Sequence, residues 1–177
     1  MKVADLEFEP SISYEAITKR VKELADELNR DYAGKHPVFV GVLSGSFIFL
    51  GDLLKEITLP CEVAFTKLSS YHGGLTSSRK IKDEYDLSVD IKGRDIILIE
   101  DIVDTGATLN YLIAKLEVRK PASIAVCTLL LKPDAIEYSI EELRYVAFNI
   151  ENEFVVGYGL DYREMGRNLK GIYKRKK

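Results

Sequence analysis

The densest chemistry in the chain lies between Glu100 and Thr108, in the run Glu100-Asp101-Ile102-Val103-Asp104-Thr105-Gly106-Ala107-Thr108. The preceding apolar segment, DIILIE over Asp95 to Glu100, reads as a buried strand, so three carboxylates leave one strand end together. A phosphate monoester fits the loop after Asp104. Thr105 and Thr108 offer hydroxyls and Gly106 lets the backbone approach. The helix expected from Ala107 presents unpaired N–H groups at the positive end of its dipole. Glu100 and Asp101 then stand within reach of vicinal sugar hydroxyls, or of the water shell of a magnesium ion, which takes carboxylates plus substrate oxygens. Asp and Thr also cap helices for structural reasons alone. Adjacent acids at the end of a buried strand, however, are costly unless something pairs with them. The run points to a phosphorylated sugar held between Ile97 and Leu109.

The elements that must position this run follow from periodicity. Ser13 caps a predicted helix through about Tyr32, in which Ile17, Val21, Leu24 and Leu28 repeat at spacings of three and four until Gly34 ends it. HPVFVGVL reads as a buried strand, Ser46 to Ile57 as a helix and CEVAFTKL as a strand. Ser69 to Lys82, SSYHGGLTSSRKIK, has no apolar period and reads as a long mobile loop. Ala107 to Val118 is a predicted helix ending before Pro121, and Ile124 to Leu131 a further buried strand. Strands alternating with helices imply parallel pairing through right-handed crossovers, with ligands at the carboxyl ends of the strands. RYVAFNI and EFVVGYGL, strand-like without a helix between them, suggest a small appended lobe.

Composition narrows the class. A chain of 177 residues with 46% hydrophobic and 30% charged residues fits a single globular domain, and no apolar run approaches the roughly 20 residues of a membrane span. The acidic start, MKVADLEFEPSISYEA, lacks the basic and apolar stretches of an export signal, so a cytoplasmic location is expected. Cys61 and Cys127 lie in apolar runs and read as small buried hydrophobes. The net charge of −3 exerts no general pull on nucleic acid or membrane, and the basic tail Lys174-Arg175-Lys176-Lys177 reads as a solvated end. His36 and His72 have no ligand partner at metal spacing. Neither G-x-x-x-x-G-K-[ST] nor G-x-G-x-x-G occurs, and Gly157-Tyr158-Gly159 lacks the third glycine.

ILIEDIVDTGATL resembles the phosphoribosyl-pyrophosphate signature of the type I phosphoribosyltransferases: four apolar residues, two acids, two apolar residues, then D-T-G-x-T. GVLSGSFIFLGDL, the Ser70-Tyr71 loop, LLLK ending at Lys132, and FVVGYGLDYREMGR from Phe154 to Arg167 are similar to the hypoxanthine-guanine branch of that family. The resemblance implies an α/β fold, a central mostly parallel sheet flanked by helices, with a hood lobe built by the N-terminal segment and the C-terminal third. It implies purine salvage, in which hypoxanthine or guanine joins phosphoribosyl pyrophosphate to give IMP or GMP and pyrophosphate, with Mg2+ as cofactor and a homodimer or homotetramer as the assembly. By the same resemblance Asp104 is the general base, and Glu100, Asp101, Asp104, Thr105, Gly106, Ala107 and Thr108 hold ribose and 5′-phosphate. Leu43-Ser44-Gly45 is the pyrophosphate loop, in which Ser44 replaces the Lys or Arg often found there. Lys132 donates to the purine 6-oxo group, Phe154 stacks on the base and the Val155 backbone reads its edge. Asp161, grouped with these purine-binding residues, coordinates a second magnesium ion through pyrophosphate, with Glu100 and Asp101 as the other metal-binding acids, and Arg167 clamps pyrophosphate. Ser70 and Tyr71 belong to a lid that excludes water.

A regulator on the same fold, binding nucleotide and controlling RNA or DNA, is the rival from another class. It needs a basic face, and the sequence offers only the tail, with no arginine-rich helix and no aromatic-basic alternation.

Overall fold

The computed structural model describes residues 1–71 and 80–176, with side chains omitted at 69–71 and 80–83. Two short strands open the chain, β1 (Lys2–Val3) and β2 (Leu6–Ile12). Helix α1 (Tyr14–Asp31) follows, and the Ser13 hydroxyl caps it by accepting from the Ala16 N–H at 3.2 Å. Its buried stripe is Ile17, Val21, Leu24, Ala25 and Leu28, the face that the apolar spacing dictates. Then come β3 (Val38–Leu43), α2 (Phe47–Glu56), β4 (Glu62–Tyr71), β5 (Lys80–Tyr85), β6 (Asp95–Val103), α3 (Ala107–Glu117), β7 (Ser123–Leu131) and a 3-10 turn at Pro133–Ala135. β8 (Leu143–Asn149), β9 (Val155–Val156) and β10 (Ile172–Arg175) complete the chain.

The main sheet has the order β5-β4-β3-β6-β7-β8, parallel throughout except for the antiparallel β4–β5 hairpin. Both faces are covered. Phe39, Ile97, Ile99, Cys127 and Leu129 pack with α1 and α2, while Val38, Val40, Ile96, Leu98 and Val126 pack with Leu109, Leu112, Ile113 and Leu116 of α3. Burial on both faces is why these strands read as continuous apolar runs. A second sheet, β1-β2-β10-β9, joins the two ends of the chain around Phe8 and Val156.

Four sequence expectations change. RYVAFNI is not part of an appended lobe: as β8 it pairs parallel with β7 at the edge of the main sheet, and only β9 and β10 join the N-terminal strands. Ser69 to Lys82 is not loop at its ends, since Ser69, Ser70 and Tyr71 pair with Lys82, Ile81 and Lys80. Backbone pairing in a two-stranded ribbon needs no apolar alternation, so the sequence carried no strand signal there. Residues 72–79, His72 included, lie outside the described residues. The tail is no solvated end: Lys174 and Arg175 are ladder residues of β10, and Lys174 pairs with Glu153 at 3.1 Å while Lys176 lies 3.7 Å from Glu7. Cys127 is fully buried as expected, but Cys61 is exposed, because it falls just before β4.

Candidate functional site

The ends of β3, β6 and β7 converge at their carboxyl termini, where a parallel sheet presents its ligand crevice. β6 runs three residues beyond the expected strand end, through Val103, so Glu100 and Asp101 sit within it rather than in a loop. Strand alternation breaks at this pair, since Ile97 and Ile99 share one face of the sheet with Ile102 while Ile96 and Leu98 share the other with Val103, and the two carboxyl groups interact with each other. Glu100 lines a cavity of about 90 Å³ together with Ile102, Val103 and the whole Asp104 to Leu109 turn. Asp101 packs onto Gly45: a Cβ added there would meet the Asp101 Oδ2 at 1.4 Å. Two larger hollows, of about 520 and 380 Å³, lie around Ser123, Ile124 and Arg144 at the amino ends of β7 and β8, the end of a parallel sheet that does not form its ligand crevice.

Burial penalises charge on both acids. Desolvation, and then the neighbouring Asp101 carboxylate, raise Glu100 well above the usual carboxylate range. Asp101 is also raised by desolvation, opposed by its hydrogen bonds and by the Arg167 guanidinium. The Ile102 N–H donates to Asp101 Oδ1 at 2.8 Å, and the Asp101 N–H donates to Glu100 Oε1 at 3.2 Å. Two adjacent carboxyls, one buried and one partly buried, short of counter-charge suit a divalent cation, which supplies that charge. No group of three or more His, Cys, Asp or Glu that could hold a metal ion by itself stands among the described residues. Magnesium needs only one or two carboxylates when substrate oxygens fill the rest of its shell.

The phosphate turn is shaped from behind. Gly106 caps α3 at φ +84, and a Cβ there would meet the Tyr138 carbonyl at 2.8 Å, so this position needs glycine for conformation and for space. The Glu137 and Tyr138 N–H groups both donate to the Thr105 carbonyl, and the Ala107 N–H reaches the Thr105 hydroxyl at 3.4 Å. The first backbone bond of the helix returns from Asn110 to Gly106. The N–H groups of the opening turn, without intrahelical acceptors, therefore face the cavity that Ala107, Thr108 and Leu109 line.

Lys132 directly follows β7, with its N–H donating to the Val103 carbonyl at 2.9 Å. It is not a solvated lysine: only 9% of its side chain is exposed, and its ammonium lies 3.1 Å from Asp104 Oδ2. Asp104 itself is half exposed and open to a ligand. Phe154 stands at the rim, 44% exposed, edge-on to Tyr162 at 5.6 Å and 6.2 Å from Phe8. Val155 beside it is buried in β9, paired with Lys174.

The loop after β3 contains a cis Leu43–Ser44 peptide. Gly45 is held between Asp101 and the turn at Gly159, whose absent Cβ would fall 2.0 Å from the Gly45 carbonyl. Arg167 fastens that turn, donating to the Gly159 carbonyl at 2.9 Å and pairing with Asp161 at 2.7 Å and Glu164 at 3.1 Å. Asp161 also accepts from the Glu164 N–H at 2.8 Å. Ser70 and Tyr71 lie on β4, their side chains outside the described residues.

Thus Glu100 and Asp104 to Thr108 form one cradle, Lys132 joins it, and Ser44-Gly45, Asp101, Asp161 and Arg167 meet beside it. Sequence reasoning missed Gly159, Tyr138, Phe8, Tyr162 and Glu164. Gly157-Tyr158-Gly159 carried a signal of its own, two glycines one residue apart, but was weighed only as a dinucleotide fingerprint.

Comparison with known proteins agrees with this geometry. Residues 13–163 match the family model described as the phosphoribosyl transferase domain. The chain is 48% identical over 161 residues to the hypoxanthine-guanine phosphoribosyltransferase of Streptococcus pneumoniae, covering 91% of this chain and 89% of that one. It is 49% identical over 157 residues to the enzyme of the same name from Streptococcus agalactiae, covering 89% and 87%. A crystal structure of a hypoxanthine phosphoribosyltransferase from Staphylococcus aureus superposes with a TM-score of 0.90 at 44% identity, over 97% of this chain and 92% of that one. The chain belongs to the phosphoribosyltransferase family, among its hypoxanthine-guanine members.

Proposed function

We propose that the protein joins hypoxanthine or guanine to phosphoribosyl pyrophosphate, releasing IMP or GMP and pyrophosphate. The observation that carries this reading is the buried Lys132 ammonium 3.1 Å from Asp104, at the mouth of the 104–109 anion cradle. It sets a donor for a 6-oxo group and a proton acceptor for the ring beside a seat for the sugar phosphate. Adenine, which carries a donor at its sixth position, would face the lysine donor with nothing to offer it.

In this reading the 5′-phosphate rests on Thr105, Gly106, Ala107 and Thr108, and Glu100 and Asp101 hold the ribose hydroxyls. Purine N9 bonds to the anomeric carbon as the bond to pyrophosphate breaks, and Asp104 takes the proton from N7. Phe154 and the Val155 backbone hold the base, Ser44-Gly45 and Arg167 hold the departing pyrophosphate, and Ser70 and Tyr71 help to exclude water. Glu100 and Asp101 are the residues that would hold a magnesium ion. When bound, it neutralises charge on the leaving group. Asp161, engaged by Arg167 and the Glu164 N–H, keeps free lone pairs on both oxygens with which to join a second one. We place the enzyme in the cytoplasm as one domain in a homodimer or homotetramer. Among the described residues no helix is long and apolar enough to cross a membrane.

No observation favours the nucleic-acid-binding regulator, whose basic face would have to come from a tail already paired with Glu153 and Glu7. A spectrophotometric assay of hypoxanthine, guanine, xanthine and adenine, each with phosphoribosyl pyrophosphate and Mg2+, tests the proposal. Turnover of the 6-oxopurines, lost on chelation with EDTA, is expected. Absent purine turnover together with RNA retardation at physiological salt would reverse the assignment.

A further inference from the structure

Tyr158 is 2% exposed yet adopts φ +48, between Gly157 at φ +106 and Gly159 at φ +103. A bulky side chain in the left-handed region is uncommon and persists only where its surroundings hold it. The surroundings are specific. Its N–H donates to the Leu169 carbonyl at 2.8 Å, and its hydroxyl crosses to α2 and donates to Asp52 Oδ2 at 2.7 Å. Burial and the Asp52 carboxylate push the phenol far above its ordinary range, so it remains a donor throughout the physiological pH range. Asp52 also pairs with Lys55, its own neighbour on the exposed side of the helix.

The two ends of this bond sit on the two halves of one binding surface. α2 starts directly after Leu43-Ser44-Gly45, and Tyr158 immediately precedes Gly159, whose Cα is seated against the Gly45 carbonyl and whose own carbonyl accepts from Arg167. We propose that Tyr158 and Asp52 form a positioning pair that holds the Gly159 turn on the Gly45 carbonyl, and so sets the spacing between the Ser44-Gly45 backbone and Arg167 that receives pyrophosphate. The inference rests on the transfer reading above for the identity of that anion. Its consequence is selective, because the pair touches neither Lys132 nor the 104–109 cradle: breaking it weakens phosphoribosyl pyrophosphate and leaves the purine alone.

Steady-state kinetics with both substrates test this in the full-length protein. Tyr158→Phe and Asp52→Ala are each expected to raise KM for phosphoribosyl pyrophosphate about tenfold, the scale of one lost hydrogen bond to a charged acceptor, with purine KM within about twofold of wild type. Combining them should do no more than the worse single change, and Asp52→Asn, whose amide oxygen still accepts, should stay near wild type. Tyr145→Phe is the control: it removes a similar phenol-to-carboxylate bond, to Asp31 at 2.9 Å and remote from the site, and should lower Tm without moving either KM. The inference falls if both KM values rise together, if Tyr158→Phe leaves phosphoribosyl pyrophosphate unaffected, or if Tyr145→Phe reproduces the shift. Should Tyr158→Phe fail to fold, the Asp52→Ala and Asp52→Asn comparison decides by the same criteria. If the wild type turns over no purine, the transfer reading fails separately, and calorimetric binding of phosphoribosyl pyrophosphate judges the pair. Equal Kd in wild type and variants, or no binding at all, overturns it.

Discussion

Replacing Lys132 by Met tests whether this residue reads the 6-oxo group. The substitution keeps most of the unbranched stem in its buried position and removes the ammonium alone. With 9% of the side chain exposed, water cannot replace the lost donor, so the full worth of a hydrogen bond from a charged group is at stake, about 1.5–3 kcal/mol. At 1.36 kcal/mol per factor of ten, that predicts a loss of roughly 10- to 150-fold in kcat/KM for hypoxanthine and guanine. The Asp104 pairing does not cancel this effect, because an ammonium has three protons and can serve the carboxylate and the base together. The loss should fall on purine KM, with KM for phosphoribosyl pyrophosphate unchanged, and any residual adenine activity should not decline. The assay is initial-rate spectrophotometry with one substrate varied and the other saturating. Hypoxanthine KM within about twofold of wild type would refute the reasoning, as would an equal loss for adenine.

Asp104→Asn should lower kcat by about 10²–10⁴, the range of a lost general base, with purine KM largely kept; near-normal turnover removes that role from Asp104. Gly45→Ala should cost at least about 100-fold in kcat/KM, because its methyl group would displace the Asp101 carboxylate it would otherwise meet at 1.4 Å, and circular dichroism should show the fold retained. Glu100→Gln should raise Tm by a few degrees at neutral pH while lowering activity. Glu100 and Asp101 are raised in the folded state, so folding binds their protons more tightly than the unfolded chain does, and stability declines as pH climbs from the ordinary carboxylate range through the elevated folded values. The gain from Gln should therefore shrink to nothing below the ordinary Glu value of 4.5, and a Tm difference independent of pH would contradict it.

Particular residues show how far the sequence could be read. Ser13 and the Ile17, Val21, Leu24, Leu28 stripe specified α1 within a residue or so, because capping and helical periodicity are local. The D-T-G-x-T turn was legible for the same reason, since strand, glycine and helix start are consecutive. RYVAFNI was misplaced because a strand's own pattern does not name its partner: β8 and β9 read alike, and pairing across the sheet separated them. Cys61 was misjudged because apolar neighbours in sequence are not neighbours in space at a strand's entry.

The sequence by itself determined the family, the parallel sheet and most residues of the crevice, because these rest on short runs whose side chains carry their own chemistry. Only tertiary structure decided that Lys132 is buried against Asp104, and that Gly45 is closed between Asp101 and Gly159. Those relations join residues 28 to more than a hundred positions apart. They are set by strand register and close packing, which no local stretch of chain encodes.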